Sequence, residues 1–329
     1  MSGSSLYTET WLAGPDGHQF YTRTYAAPAP GPRAVILFVH GFAEHIGRYE
    51  HVHIDYPKRG ITLFSFDQRG FGRTALDKEH RSKDASYGKT SWKYQSGDIE
   101  WWAKYLTKEY PGVPLFLMGH SMGGGLSIAF PTRTAPPPSP ETVKLLRGVI
   151  ASSPLIQLPT PKPKWLRWTG AKLATLAPYT QFPADVPAEH LSRNPAANEA
   201  NLKDPLIKRV GTLRGLDDML SGGERLLESD WQHWPKELPI LFIQGTADKV
   251  TSFPATEEFF KKVPAQDKKL VPFPDAYHEL VHEIDGIPAK LFEECVSWIE
   301  AHLTDNGAPQ TGGEQVASTS ESNVPESKL

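Results

Sequence analysis

Ser121 lies in the segment PLFLMGHSMGGG, at the centre of Gly119-His120-Ser121-Met122-Gly123. A serine hydroxyl is a weak nucleophile at neutral pH, and this spacing is one that makes it usable. An apolar run ends in a sharp turn that strains the serine backbone, and glycines two residues away on both sides remove Cβ atoms that would block strand–helix approach. The hydroxyl is left exposed at the carboxyl edge of a sheet. The next helix points its dipole and free N–H groups at the same spot, so a developing oxyanion is stabilised there, with the Met122 N–H as one donor. A second donor is expected after an earlier strand, where AVILFV runs into His40-Gly41-Phe42, and Phe42 N–H is the candidate. The plain alternative there is a turn that needs Gly41 for its backbone angle.

Such a serine requires a histidine in hydrogen-bond reach and a carboxylate to fix the imidazole tautomer, in the chain order Ser, acid, His. Downstream of Ser121, the apolar run PILFIQG opens into Thr246-Ala247-Asp248, which puts Asp248 on a loop at the sheet's carboxyl edge. Asp267 lies among lysines and Asp275 just before a histidine, both read as solvated loop charges. Asp217, Asp218 and Asp230 fall in or near an insertion. The base is His278, after KKLVPFPDAY and before the last helix, with His282 as its rival. His51 and His53 form an HxH pair without nearby carboxylate or cysteine partners, so a surface pair is expected rather than a metal site. No metal or organic cofactor is expected.

These residues need a sheet to carry them. AVILFV (34–39), ITLFSF (61–66), PLFLMG (114–119), GVIASS (148–153) and PILFIQG (239–245) are short apolar runs separated by crossover-length segments. That rhythm predicts an α/β fold with a doubly wound, mostly parallel sheet. Residues 8–27 read as an opening hairpin around Gly-Pro-Asp-Gly, 96–110 as a helix, and 285–303 as an amphipathic final helix. Pro131, inside the helix after Ser121, predicts a short or bent helix. Between 154 and 231 the strand rhythm stops, and helix-compatible pieces at 165–177 and 204–220 predict an inserted helical cap. The expected organisation is a core over 1–153, the cap over 154–231, the core again over 232–304, and a disordered tail over 305–329, rich in Ser, Glu, Gly and Pro.

The 35 basic and 38 acidic residues leave a formal charge of −3 without long single-sign runs, which argues against nucleic acid as a partner. Cys295 is the only cysteine, so the chain has no internal disulfide and no CxxC motif. MSGSSLYTETWL has no basic start followed by an apolar run, and no stretch reaches the length of a membrane span. A cytoplasmic protein is expected.

HGFAEHIGRY (40–49), FDQRGFGRT (66–74), LMGHSMGGG (117–125), QGTADKV (244–250) and AYHEL (276–280) resemble the monoacylglycerol lipase family, with the likeness spread over about 34–304 and weakest in the cap. The resemblance implies hydrolysis of monoacylglycerol to glycerol and fatty acid by Ser121, Asp248 and His278, with Phe42 and Met122 as oxyanion donors. It also implies a cap that covers an apolar acyl tunnel and meets a membrane. The family often has a small residue where Phe42 stands, and where some relatives carry a second histidine three residues after the base, His282 lies four after. Glu44 and Arg48 match positions that help bind the polar glycerol head; the alternative is an i, i+4 ion pair. His120, beside the nucleophile, joins them as a head-group candidate. Asp67 and Arg69 are read as structural.

In PKPKWLRWTGAKLATLAPY, Leu166, Thr169, Gly170, Leu173 and Ala177 form a helical stripe flanked by Trp165, Trp168 and several lysines. Tryptophan with lysine suits a membrane interface, so Trp165 and Trp168 are candidate contacts to a membrane or lipid-droplet surface. The alternative is that the stripe covers the active site and the lysines are solvated. A lysophospholipase, a general carboxylesterase or a non-catalytic ligand-binding protein of the same fold are the competing functions.

Overall fold

The computed structural model describes residues 6–303, so the predicted tail over 305–329 lies outside the described residues. Among the described residues ten strands form, β1 (Thr8–Ala13), β2 (Gln19–Tyr25), β3 (Ala34–Val39), β4 (Ile61–Phe66), β5 (Leu115–His120), β6 (Leu146–Ser152), β7 (Gln181–Pro183), β8 (Val210–Thr212), β9 (Ile240–Gly245) and β10 (Lys268–Phe273). The α-helices are α1 (Glu50–His53), α2 (Gly72–Leu76), α3 (Trp92–Glu109), α4 (Met122–Thr132), α5 (Pro140–Val143), α6 (Lys164–Leu176), α7 (Pro195–Lys203), α8 (Leu213–Glu228), α9 (Phe253–Lys262) and α10 (Ile287–Ala301).

Eight strands make one sheet in the order β1-β2-β4-β3-β5-β6-β9-β10. The β1–β2 hairpin and the β2–β4 pair are antiparallel, and every other pair is parallel. Inner strands are apolar on both faces because helices cover both. Val35, Leu37 and Val39 of β3 pack in one core with Trp102 of α3, Phe130 of α4 and Phe259 of α9. Ile36 and Phe38 pack in the other with Trp298 and Ile299 of α10. After β3 the chain adds β4 on one side and then returns to place β5 on the other, which leaves a crevice outside the carboxyl ends of β3 and β5.

Helix boundaries follow local capping. The expected 96–110 helix starts earlier, at Trp92, because the Ser91 side chain accepts from Tyr94 N–H at 3.2 Å. The helical reading of 204–220 fails over its first half. Thr212 caps α8 by accepting from Gly215 N–H at 3.3 Å, and Val210–Thr212 pairs as a strand with Gln181–Pro183. Of the segment between β6 and β9, α6, β7 and α7 lie on the outside, whereas Met219, Leu226 and Leu227 of α8 sit in the main core. Among the described residues, no helix is long and apolar enough to cross a membrane.

Candidate active site

Ser121 forms the junction between β5 and α4, with φ 56° and ψ −119°. That strained conformation persists because backbone bonds fix it from three sides: Ser121 N–H donates to Ser152 O, and its carbonyl accepts from Gly125 and Leu155 N–H, each at 2.9 Å. The flanking glycines are steric requirements. A Cβ at position 119 would overlap the Gly123 carbonyl, and one at 123 would overlap the carbonyls of Val39 and His40. As expected of a helix containing Pro131, α4 is short and stops at Thr132.

Asp248 follows β9 and His278 follows β10, both on the carboxyl edge where Ser121 stands. The Asp248 carboxylate can only accept, so His278 Nδ1 carries the proton in their 2.9 Å hydrogen bond. This leaves Nε2 as the imidazole's free acceptor. Ser121 and His278 line one cavity together with Phe42, Glu44, Arg48 and His120. Burial alone would raise the Asp248 carboxyl, but His278 and the donors around it outweigh burial and hold it below the usual carboxylate range. Burial alone would likewise depress His278, yet Asp248 dominates, and the imidazole lies above its ordinary value.

Several groups that hold Asp248 and His278 in place were not singled out from the sequence. Asp248 Oδ1 accepts from Val250 and Thr251 N–H at 2.8 and 2.9 Å. Its Oδ2 accepts from Thr251 Oγ1 at 2.7 Å and Gln244 Nε2 at 3.1 Å. Ser153 Oγ donates to the His278 carbonyl at 2.8 Å. The spacing Asp248-x-x-Thr251, a carboxylate capping its own following amides, was the legible signal.

On the β3 side, Gln68 N–H donates to His40 Nε2 at 2.8 Å, so His40 Nδ1–H donates to the Gly41 carbonyl, also at 2.8 Å. A methyl group placed on Gly41 would come within 3.1 Å of Ser121 Cβ, which fixes how closely this loop approaches the serine. Among the described residues, neither Phe42 N–H nor Met122 N–H finds a backbone acceptor. The Met122 side chain is buried outside the cavity lining, and its sulfur accepts from Gln95 Nε2 at 3.6 Å.

Glu44 and Arg48 form the anticipated i, i+4 pair at 2.8 Å, but buried rather than on the surface. Arg48 also grips both oxygens of Glu279, at 2.6 and 2.7 Å. Glu279 had no role in the sequence reading. The His120 ring centroid lies 4.8 Å from that of His278, with the two rings tilted by 48°. Burial and then the proximity of His278 depress His120 to about 4, so it stays neutral at pH 7. His282 approaches Glu279 at 3.9 Å rather than Asp248, and His53 is buried against Tyr49 and Phe38 instead of pairing with His51 at the surface. Asp67 accepts from Ile46 and Arg73 N–H, and Arg69 binds Asp98, both framework contacts. Among the described residues, no cluster of three or more His, Cys, Asp or Glu side chains could hold a metal ion.

The stripe read in α6 faces outward. Leu166 and Leu173 are exposed, Trp165 and Trp168 are 71% and 66% exposed, and the helix docks through buried Ala174 and through Arg167, which pairs with Asp217 and Glu224. Amphipathic patterns are read with the apolar side inward, and here the inward side is the one carrying the arginine.

A family model described as "Serine aminopeptidase, S33" matches residues 30–285. A Schizosaccharomyces pombe relative, whose name places it among monoglyceride lipases, is 31% identical over 284 residues, covering 86% of this chain and 71% of its own length. The monoglyceride lipase of Mus musculus is 26% identical over 298 residues, covering 90% of this chain and 92% of its own. A crystal structure of a soluble variant of the Saccharomyces cerevisiae monoglyceride lipase, bound to a substrate analog, superimposes with a TM-score of 0.80 at 23% identity, covering 92% of this chain and 97% of that one; it shows the shared fold. The chain therefore belongs to the serine aminopeptidase S33 family and, through relatives that match most of its length, is a monoglyceride lipase-like serine hydrolase of the α/β-hydrolase fold.

Proposed function

We propose that the protein hydrolyses the ester bond of monoacylglycerols, releasing glycerol and a fatty acid, with Ser121 as nucleophile, His278 as general base and Asp248 as the orienting acid. The observation that carries this reading is the 2.9 Å Asp248–His278 bond, which aims the Nε2 lone pair away from the acid in a cavity shared with the strained Ser121. His278 takes the Ser121 proton as the hydroxyl attacks the ester carbonyl, and the amides of Phe42 and Met122 receive the oxyanion. The imidazolium then protonates the leaving glycerol oxygen. Water attacks the acyl-enzyme by the same base and frees the acid. The apolar cavity wall of Phe42, Leu155, Leu158, Val186, Ile207 and Met219 suits an acyl chain. No metal or organic cofactor enters these steps.

The exposed Trp165 and Trp168 support transient docking of α6 on a membrane or lipid-droplet surface, so that substrate reaches the cavity without crossing water.

A fluorophosphonate probe should label the protein and fail to label Ser121→Ala. The wild-type protein should favour 1- or 2-monoacylglycerol over diacylglycerol, triacylglycerol, lysophospholipid and an aminoacyl anilide. Equal rates across that panel would remove the substrate assignment, and labelling of Ser121→Ala would remove the nucleophile.

A further inference from the structure

Glu279 directly follows the base, and the steps above give it no part. Its buried carboxylate is held at both oxygens by Arg48, at 2.6 and 2.7 Å, and Arg48 Nη1 also binds Glu44 Oε2 at 2.8 Å. Glu44 Oε1 in turn accepts from Gly41 N–H and from Tyr49 Oη, both at 2.5 Å. One unbroken chain of polar contacts thus runs from the residue after the base to the amide that precedes Phe42. Backbone bonds pin its far end: Glu279 N–H donates to Leu191 O at 2.7 Å. A buried ion triad is a weak device for stability, because desolvating its charges offsets most of their attraction. Its geometry is specific instead: it joins the loop after β3, which carries Phe42, to the loop after β10, which carries His278.

We propose that Glu279 is a positioning residue for the hydrolytic reaction: through Arg48 and Glu44 it locks the loop of the general base to the loop of the oxyanion amide, and its charge favours the imidazolium that forms on His278. The inference rests on the triad reading given above. Two carboxylates against one guanidinium leave the triad with one net negative charge. The groups around His278 are Asp248 and Thr251 from the loop after β9, His120 from β5, Glu44 and Arg48 from the loop after β3, and Glu279 from its own loop, with His282 behind it. Burial disfavours the imidazolium, Asp248 opposes burial most strongly, and Glu279 and Glu44 act in the same direction as Asp248.

Glu279→Gln removes the charge and half of the fork, whereas Glu279→Asp keeps the charge but is one methylene too short to hold it in place. With a soluble monoacylglycerol, the Gln variant should lose roughly tenfold or more in kcat with KM changed by less than about threefold. The acid limb of its kcat/KM profile should move to lower pH, because a base that has lost a neighbouring anion protonates less readily. The Asp variant should lose kcat while keeping the limb in place. Should the Gln variant not fold, Arg48→Lys, which retains the charge but not the bidentate grip, must lower kcat by a larger factor than it raises KM. An unchanged kcat and limb in Glu279→Gln overturns the proposal, as does an equal loss in both variants with the limb unmoved, the mark of packing alone. Ser121→Ala, run in parallel, separates this failure from a wrong nucleophile: activity surviving there would sink the triad itself.

Discussion

The loops that carry Asp248 and His278 and the outer helix α6 are anchored in opposite ways. Beside the cavity, the Asp248 carboxylate accepts two amides, a hydroxyl, a side-chain amide and the imidazole. By contrast, α6 turns Trp165, Trp168 and Leu176 to the outside, the last 82% exposed, and holds on through Ala174 and the Arg167 ion pairs. A preorganised site stabilises developing charge only if its dipoles do not have to reorganise, which demands many fixed contacts per group. A surface meant to meet a lipid aggregate needs the reverse: apolar area left uncovered and few bonds to break when it moves. Polar contacts are dense around Asp248 and sparse along the outer face of α6, the distribution that the proposed chemistry and the proposed docking would each require.

The largest effect should come from disturbing the contacts around Asp248. Asp248→Asn keeps the shape but lets the side chain donate toward His278, which favours the wrong tautomer, and kcat should fall by about 10⁴-fold with the fold intact. A loss under tenfold would show that the dense contacts do not serve orientation. The wild-type pH profile carries the same information. The base must be neutral to act, and its folded-state value is raised above 6.5, so the acid half-point of kcat/KM should lie above 6.5 and activity should rise with pH through it. A half-point at or below 6.5 would contradict the electrostatics around His278.

A smaller effect should come from the outer helix. Replacing Trp165 and Trp168 together by alanine should weaken binding to anionic vesicles by about tenfold or more, since each buried indole contributes on the order of 1–3 kcal/mol. Hydrolysis of a short, water-soluble ester should not change. Unaltered vesicle binding and unaltered activity on dispersed lipid would reduce those side chains to ordinary surface.

The same contrast explains what could be read from the amino acids. The placement of Ser121, Asp248 and His278 at one sheet edge was legible because each stands where an apolar strand run stops, and sheet topology gathers such ends together. Glu279 and Arg48 were not legible as a pair, because 231 positions separate them and only the fold makes them neighbours. Residues 204–212 carry a helical apolar spacing, yet pairing with 181–183 and capping by Thr212 decide otherwise, a tertiary contact overriding a local pattern. For α6 the apolar period was legible but not the side it faces: the stripe turns outward rather than over the active site, and periodicity reports that one side is apolar and says nothing about what that side meets.

The smallest effect tests whether α6 is as lightly held as its contacts indicate. Arg167 bridges to Ser221 Oγ at 2.8 Å and Glu224 at 3.1 Å across the gap to α8. Partly exposed ion pairs of this kind contribute roughly 0.2–1 kcal/mol, so Arg167→Ala should leave the global unfolding midpoint nearly unchanged. Its consequence should be local. With its outer face exposed, the amides of α6 should exchange hydrogen severalfold faster in the variant while those of α4 and β5 do not, because opening of the outer helix requires no change around Asp248. Uniform acceleration throughout the molecule would mean that the two regions unfold as one unit, and that the contrast between them lies in composition rather than in stability.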